Sequence, residues 1–294
     1  MEPAAGATRD QTSLIRLLLS LQSGSGGFRS TVHSDLGSID DENGFVTALV
    51  LRELEPLAGL PALIDPCRRA LDFVARCEAP SRTGFFAFWP RSRWPSWCPQ
   101  VPEDLDCTAT MASELLHYGR IDLARARDIA QSALIPYRLN ELPAEPDKPW
   151  IRPGAFLTWH HPLPFVHLMD CTVNANVAGF FAQIGLQHQA GYDDACRMIA
   201  DGIHSAAGSG ERLEGLSPYY PEPAELVRAL QNAVRRGAAE LFPCLEELRR
   251  IHGADTANHR AATLFSMADR RTRWSSEAVW AARELSEMSP RSLI

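Results

Sequence analysis

Two aspartates and a cysteine stand at the expected start of a buried helix: Asp104, Asp106 and Cys107. The apolar run 109–116, rich in small residues, follows them. Acids in the first turn of a helix are held by free backbone N–H groups and by the positive end of the helix dipole. Two buried carboxyls this close cannot both ionise easily, so one tends to keep its proton. A protonated acid facing an apolar cavity suits a reaction that begins by protonating an alkene or an epoxide.

The pattern around these acids recurs along the chain. The triplet 170–172 repeats the Asp-Cys-Thr of 106–108, and the acidic run 40–42 precedes a further threonine, Thr47. Thr47, Thr108 and Thr172 are almost evenly spaced, and taking them as equivalent defines a repeating unit. A unit of that length holds two helices and two loops, and such repeats indicate a fold assembled from stacked units.

Two kinds of helix alternate along the chain. Apolar helices rich in Ala and Thr are predicted near 44–54, 105–117, 171–185, 224–235 and 275–286. Helices that mix charged and apolar residues at helical spacing are predicted over 12–21, 62–75, 121–134, 193–206, 238–251 and 257–268. No segment alternates with the period of two that indicates strands. The pattern predicts an all-α fold, an α/α barrel or toroid with the apolar helices inside, and the loops before them on one rim.

Composition predicts one soluble domain over residues 11–294, after a flexible N-terminus of residues 1–10. The chain has 294 residues, of which 45% are hydrophobic, and no apolar run reaches the roughly 18 residues of a membrane-spanning helix. Its net charge of −7 and the lack of a basic stripe argue against a nucleic-acid partner. Seven cysteines, an odd number without framework spacing, indicate a reducing, cytoplasmic compartment.

The segment Asp104-Leu105-Asp106-Cys107-Thr108-Ala109 resembles the Asp-x-Asp-Asp-Thr-Ala signature of class II terpene cyclases, with Cys after the acid as in oxidosqualene cyclases. Gln22 followed by the run 24–28 is similar to the Gln…Gly-Gly-Phe/Trp repeats of the squalene cyclase and prenyltransferase superfamily, and the run 274–278 resembles one of their inner-helix motifs. The resemblance implies protonation-initiated cyclisation of a linear isoprenoid, with a prenyl diphosphate as one form. It makes Asp106 the general acid, tuned by Asp104 and Cys107.

Class II cyclases place the active site between two helical domains, whereas this chain has room for one. The resemblance therefore implies a cavity that is closed by loops or by a second subunit, which leaves a homodimer open. A peripheral membrane contact also stays open, and the expected partner is a small apolar isoprenoid.

Aromatic residues crowd the two loops that precede the acids, and aromatic faces stabilise carbocations. These loops therefore supply the expected substrate-binding residues: Phe86, Trp89, Trp94, Trp97, Trp159 and Phe165, together with Asp170. The alternative is that the aromatic side chains only pack the loops against the barrel. The basic residues of the same loops, Arg91, Arg93 and Arg152, could hold a diphosphate through bidentate bonds. In that case the acids at 40–42 could chelate Mg²⁺, although such residues are more often surface charges and helix caps.

Other chemistries stay open from the residues alone. His160, His161 and His167 precede Asp170 and Cys171, which suggests a zinc site. Zinc is disfavoured because the Asp and the Cys of each adjacent pair, 106–107 and 170–171, diverge by about 100° on a helix and could not both reach one ion. A carbohydrate-active enzyme would use Asp106 and Asp170 as two carboxylates across a cleft. A non-catalytic isoprenoid or lipid carrier would use the barrel as an apolar cup.

Overall fold

The computed structural model describes residues 10–98, 102–142, 148–160, 169–207, 213–252 and 263–289. Within these ranges lie the following ten α-helices: α1 (Gln11–Ser20), α2 (Gly44–Leu54), α3 (Pro61–Ala75), α4 (Leu105–His117), α5 (Leu123–Ile129), α6 (Cys171–Gln183), α7 (Tyr192–Ala206), α8 (Pro223–Arg235), α9 (Phe242–His252) and α10 (Glu277–Glu287). A π-helical turn, Ala130–Leu134, continues α5. The prediction of a mostly helical chain is confirmed.

Five helices form the interior of the molecule. Contacts run in succession from α10 to α2, α4, α6 and α8, and nearly every residue of α4 and α6 is buried. The circuit closes between α8 and α10 through a buried bidentate ion pair, in which Arg283 donates two hydrogen bonds of 2.8 Å to Glu225. All five segments were predicted as inner helices from their apolar, Ala-rich sequences.

The other helices pack outside this circuit. Helix α1 contacts α10 and α3, and α3 contacts α2 and α4. Helix α5 contacts α4. Helix α7 contacts α6, α9 contacts α8, and α7 and α9 contact each other. Their apolar residues are buried on one side only, as the mixed sequences predicted. Of the N-terminal residues 1–10, which were predicted to be flexible, only Asp10 is described, and it caps α1.

A recurring polar device joins the loops that follow α1, α3 and α5 to the next inner helices, α2, α4 and α6. The caps of α2, α4 and α6 are Asn43, Asp104 and Asp170, whose side chains accept hydrogen bonds from backbone N–H groups of the first helical turn. Four residues after each cap, a polar side chain accepts the backbone N–H of a loop phenylalanine. These pairs are Thr47 with Phe28 (3.1 Å), Thr108 with Phe86 (3.2 Å) and Asn174 with Phe156 (2.9 Å).

This device corrects the alignment of the repeats. The counterpart of Thr47 and Thr108 is Asn174, whereas Thr172 lies two residues earlier in its helix. It follows that Asp170 corresponds to the cap Asp104 and has no equivalence to Asp106. The Asp-Cys-Thr triplet suggested the wrong alignment because its Asp is the second helical residue in α4 but the cap in α6.

The all-α prediction is wrong because the chain also forms a four-stranded antiparallel sheet. The strands are β1 (Arg29–Ser34), β2 (Gly37–Glu42), β3 (Phe265–Ser266) and β4 (Arg273–Ser275), in the order β2-β1-β4-β3. Val32 of β1 pairs with Ile39 on one side and with Trp274 on the other. The helix predicted over 257–268 is also wrong in its described part, 263–268, where β3 lies instead.

There is a physical reason why this sheet could not be predicted from the sequence. In β2 the one buried side chain is the acid Asp41, so the strand lacks the alternation of apolar and polar residues that indicates strands. Strands β3 and β4 are very short, and β4 pairs with β1, a strand near the opposite end of the sequence. None of the described helices has the length and hydropathy needed to cross a bilayer.

Candidate active site

A cavity opens where α2, α4 and α6 begin. It holds about 640 Å³ of empty space, which includes its open mouth. Its wall is largely aromatic: Phe45, Phe88, Trp89, Trp159, Tyr219, Tyr220, Phe265 and Trp274. Asp104, Asp106 and Cys107 line it from the first turn of α4. The helix start therefore brings the acidic motif to an apolar chamber, which is the arrangement that protonation of an alkene would need.

Asp106 is the second residue of α4 and is held through both carboxyl oxygens. Its Oδ1 accepts a hydrogen bond of 2.7 Å from Nδ2 of Asn176, and its Oδ2 accepts one from the hydroxyl of Tyr220. Burial raises the pKa of Asp106, while these two hydrogen bonds and the charge of Arg52 oppose the rise. Only 8% of the residue is exposed, so the carboxyl faces the cavity instead of bulk water.

The amide of Asn176 is oriented by its other partner. Its Oδ1 accepts a hydrogen bond of 3.3 Å from Arg52, which also donates to Glu114 at 3.3 Å. Because a guanidinium can only donate, the amide oxygen must face Arg52 and the NH₂ group must face Asp106. Asn176 and Tyr220 also border a second, polar chamber of about 510 Å³. Asp106 is thus held at the boundary between the two chambers.

Asp104 is both a helix cap and a wall residue of the cavity. Its Oδ1 accepts the backbone N–H of Cys107 at 2.6 Å. Burial, followed by the negative charge of Asp106, raises its pKa to about 7. Burial and the neighbouring Asp104 raise the pKa of the Cys107 thiol well above its usual range, so it stays protonated. As a cap Asp104 has counterparts on other inner helices, whereas Phe45 and Thr172 occupy the position of Asp106 on α2 and α6.

Asp170 lies near Asp106 but its oxygens are occupied. Oδ1 accepts the backbone N–H groups of Thr172 (2.7 Å) and Val173 (3.2 Å), and Oδ2 accepts that of Tyr219 (3.2 Å). Burial and the charge of Asp106 raise the pKa of Asp170 to about 7. The residue is fully buried and does not belong to the cavity wall. Its role in the structure is to cap α6 and to hold the backbone that carries Tyr219 and Tyr220.

The predicted substrate-binding aromatics divide into two groups. Trp89 and Trp159 line the cavity. Trp94 and Trp97 pack against Trp89 with ring centroids 5.2 and 5.8 Å away, and they do not belong to the wall. Phe86 is fully buried behind the cavity, with its backbone bound to Thr108. Phe165 lies outside the described residues.

The basic residues that were expected to bind a diphosphate do not converge. Arg91 lies 3.8 Å from Glu103, and Arg93 pairs with Glu42 at 3.0 Å. Arg152 pairs with Asp201 on α7, outside the ring of inner helices. None of these three arginines is among the residues that line the cavity.

The acids proposed for Mg²⁺ do not form one group, because Asp41 faces the opposite side of β2 from Asp40 and Glu42. Asp40 is exposed, Asp41 is buried and Glu42 pairs with Arg93. Within the described ranges no group of three His, Cys, Asp or Glu side chains could hold a metal ion. His160 packs between Phe85 and Tyr137, while His161 and His167 lie outside those ranges.

Sequence reasoning missed several site residues: Asn176, Tyr219, Tyr220, Phe265 and Trp274. The two tyrosines precede α8, as Trp89 and Trp159 precede α4 and α6. Their position before an inner helix could therefore have predicted a place in the cavity wall. Asn176 is a polar residue in the middle of a largely apolar helix, and such a residue needs a hydrogen-bonding partner when it is buried. Phe265 gave no signal, because its place in the wall depends on the sheet.

Comparison with protein-family models and with curated proteins gives no match to this chain. Among solved structures, it is similar to the type II terpene cyclase MstE from Scytonema, at 13% identity and a TM-score of 0.48 over 95% of this chain and 97% of that chain. It is also similar to a variant of MstE from Scytonema in complex with geranylgeranyl dihydroxybenzoate (12% identity, TM-score 0.43, 94% of each chain). A third similarity is to a protein from Actinoplanes (17% identity, TM-score 0.46, 94% of this chain and 98% of that chain). Because these TM-scores lie below 0.5, we base the functional proposal on contacts within this chain.

Proposed function

We propose that this chain is a class II terpene cyclase-like enzyme, built as a single α/α barrel, that cyclises a linear isoprenoid by protonating it with Asp106. One observation carries the proposal. Asp106 is an acid that the capping device of the repeats does not require, and it is buried against an apolar, aromatic cavity. Buried acids with a raised pKa at a cavity are candidates for proton transfer.

The contacts of Asp106 also indicate which oxygen carries the proton. Nδ2 of Asn176 can only donate, so Oδ1 must accept. This leaves Oδ2, beside the Tyr220 hydroxyl, to carry the transferable proton. When the proton leaves, both hydrogen bonds then act on a carboxylate and become stronger. Asn176 and Tyr220 therefore stabilise the transition state more than the starting acid, which is the requirement for catalysis.

The reaction is an isomerisation in which atoms balance. The Oδ2–H bond breaks and its electron pair stays on Oδ2, while the π pair of the terminal alkene forms a C–H bond with the proton. The other carbon of that alkene becomes a tertiary carbocation. An internal alkene attacks this carbon, which closes a ring and moves the positive charge along the chain. A carbon next to the last cation then loses a proton to water, which ends the reaction, and Asp106 regains a proton from solvent. The aromatic faces of the cavity, such as Trp89 and Trp274, attract the cation without reacting with it.

Isotope incorporation tests the proposal directly. Purified protein is incubated in D₂O with C10 to C30 isoprenoids and their diphosphates, with and without Mg²⁺, and the products are analysed by mass spectrometry. We expect a cyclic isomer that carries one deuterium, because the initiating proton comes from Asp106 in exchange with solvent. The Asp106→Asn variant should lose at least ~100-fold in rate, whereas Asp40→Asn, an exposed acid of β2, should not.

Two outcomes would overturn this function. Turnover that survives Asp106→Asn, or a cyclic product without deuterium, would remove the mechanism. Binding without turnover would favour an isoprenoid carrier. The geometry does not favour a carbohydrate-active enzyme, because the second carboxylate, Asp170, binds backbone N–H groups through both oxygens. Since the acids at 40–42 do not converge, we propose no step through Mg²⁺.

A further inference from the structure

A buried carboxylate stands behind the aromatic wall. Asp41 is 8% exposed and accepts hydrogen bonds from four side chains. Its Oδ1 accepts the indole N–H of Trp89 at 2.8 Å, and its Oδ2 accepts the indole N–H of Trp274 at 3.1 Å. Asn43 and Ser30 donate to Oδ2 at 2.7 and 3.1 Å. One carboxylate thus binds the edges of two tryptophans that line the cavity.

The small sheet creates this arrangement. Asp41 lies on β2 opposite Ser30 of β1, and Trp274 lies on β4 opposite Val32 of the same β1 strand. Trp89 comes from the loop before α4, and its ring centroid lies 6.5 Å from that of Trp274. The sheet therefore brings residues from both ends of the chain to one face of the cavity.

We infer that Asp41 is a positioning residue for positive charge: it fixes the two indoles of the cavity wall and strengthens their attraction for a cation through its own negative charge. This inference rests on the proposed function, since a carbocation is the cation that the cavity would hold.

The electrostatics follow from the contacts. An N–H group that donates to a carboxylate leaves more electron density on the ring, so the face of each indole attracts cations more strongly. The charge also acts directly, because at a given distance an electrostatic interaction is stronger in a buried region than in water. This charge acts as far as the cavity wall. Burial and, to a smaller extent, the charge of Asp41 raise the pKa of Cys98, which lines the cavity.

The position of Asp41 also prevents a side reaction. A carboxylate in contact with a carbocation would take a proton from it or form an ester, and the cyclisation would stop early. Asp41 does not belong to the cavity wall, which presents the rings of Trp89 and Trp274, while the carboxylate binds their N–H edges. It can thus stabilise the cation without touching it, in contrast to Asp106, which faces the cavity.

Paired ligands separate this role from a purely structural one. The first ligand is an isoprenoid in which a dimethylammonium nitrogen replaces the carbon that would carry the charge, and the second is the neutral hydrocarbon of the same skeleton. Both are titrated into the protein by calorimetry at neutral pH. In Asp41→Asn the ammonium ligand should lose ~10-fold in affinity, while the hydrocarbon should stay within about twofold. No turnover is needed, so failure of the cyclase proposal would be seen separately.

Two variants complete the test. Asp40→Asn removes the same charge from the neighbouring, exposed position and should leave both affinities unchanged. Trp274→Phe keeps a ring but removes one N–H donor, so it should lose selectivity for the ammonium ligand in the same direction. If circular dichroism shows that Asp41→Asn does not fold, the Trp274→Phe variant tests the inference in its place. An equal loss for both ligands, or no loss of selectivity in either variant, would overturn the inference.

Discussion

Removing the Tyr220 hydroxyl should move the pH dependence of catalysis in a direction that the structure fixes. The hydroxyl donates to Oδ2 of Asp106, and the Tyr220→Phe variant deletes this bond. The ring itself is retained, and it packs 6.4 Å from the ring of Phe265 in the cavity wall. The variant therefore changes the environment of the acid with little change in the shape of the cavity.

The size of the shift follows from the strength of one hydrogen bond. A bond to a charged group contributes about 1.5–3 kcal/mol, and one pKa unit corresponds to about 1.4 kcal/mol. The Tyr220 bond favours ionised Asp106, so its loss raises the pKa of Asp106 by about 1–2 units. Cyclisation needs the protonated acid and is lost as pH rises through this pKa. The falling limb should therefore move to higher pH by the same amount, while the rate at low pH falls by about tenfold because the carboxylate loses a donor.

The assay is the rate of cyclisation as a function of pH for both proteins. Tyr219→Phe is the matched control, because the hydroxyl of this neighbouring tyrosine accepts the indole N–H of Trp159 at 2.7 Å, whereas that of Tyr220 donates to Asp106. Its falling limb should stay in place. A limb that moves to lower pH in Tyr220→Phe, or that moves equally in both variants, would refute the assignment of Asp106 as the acid.

Three further predictions concern stability. The folded-state pKa of Asp104, about 7, exceeds the unfolded value near 4, so the folded chain loses stability as pH rises through this window. Asp104→Asn can still cap α4 and should raise the melting temperature at about pH 8, but not at about pH 4. Glu225→Leu leaves Arg283 buried without its bidentate partner and should cost about 3–5 kcal/mol in chemical denaturation, much of which Arg283→Met should restore. Thr108→Val leaves the N–H of Phe86 unpaired and should cost about 1–3 kcal/mol by the same measurement, whereas Thr108→Ser should not.

The inner helices could be predicted because local signals agree there. Each combines an apolar run with a polar residue at its start, and in α2, α4 and α6 that residue is Asn43, Asp104 or Asp170, which caps the helix in the structure. The proposed acid, Asp106, could also be singled out, because it adds a second acid within one helical turn. These features lie close together in the sequence, which is the range over which sequence patterns are informative.

The aromatic wall could be predicted only in part, because two of its residues are placed by strand pairing between distant parts of the chain. Trp89 and Trp159 follow from their place before inner helices. Trp274 and Phe265 reach the cavity only through β4 and β3, and Asp41 reaches their side only through β2. Sheet register between strands from opposite ends of the chain leaves no local pattern, and an inward-facing acid removes the alternation that would have indicated a strand.

The caps themselves indicate that the acids beside Asp106 do more than end a helix. Asn43 and Ser276 cap α2 and α10 without charge, whereas α4 and α6, the helices whose side chains meet at Asp106, have Asp104 and Asp170 as caps. Burial raises the pKa of both aspartates to about 7, so each reduces stability at neutral pH where an asparagine would not. The negative charge of Asp106 contributes to the raised pKa of both caps, so the three acids are electrostatically linked at one site. The two acidic caps therefore keep exchangeable protons beside Asp106 at a cost in stability, a balance that is common at catalytic sites.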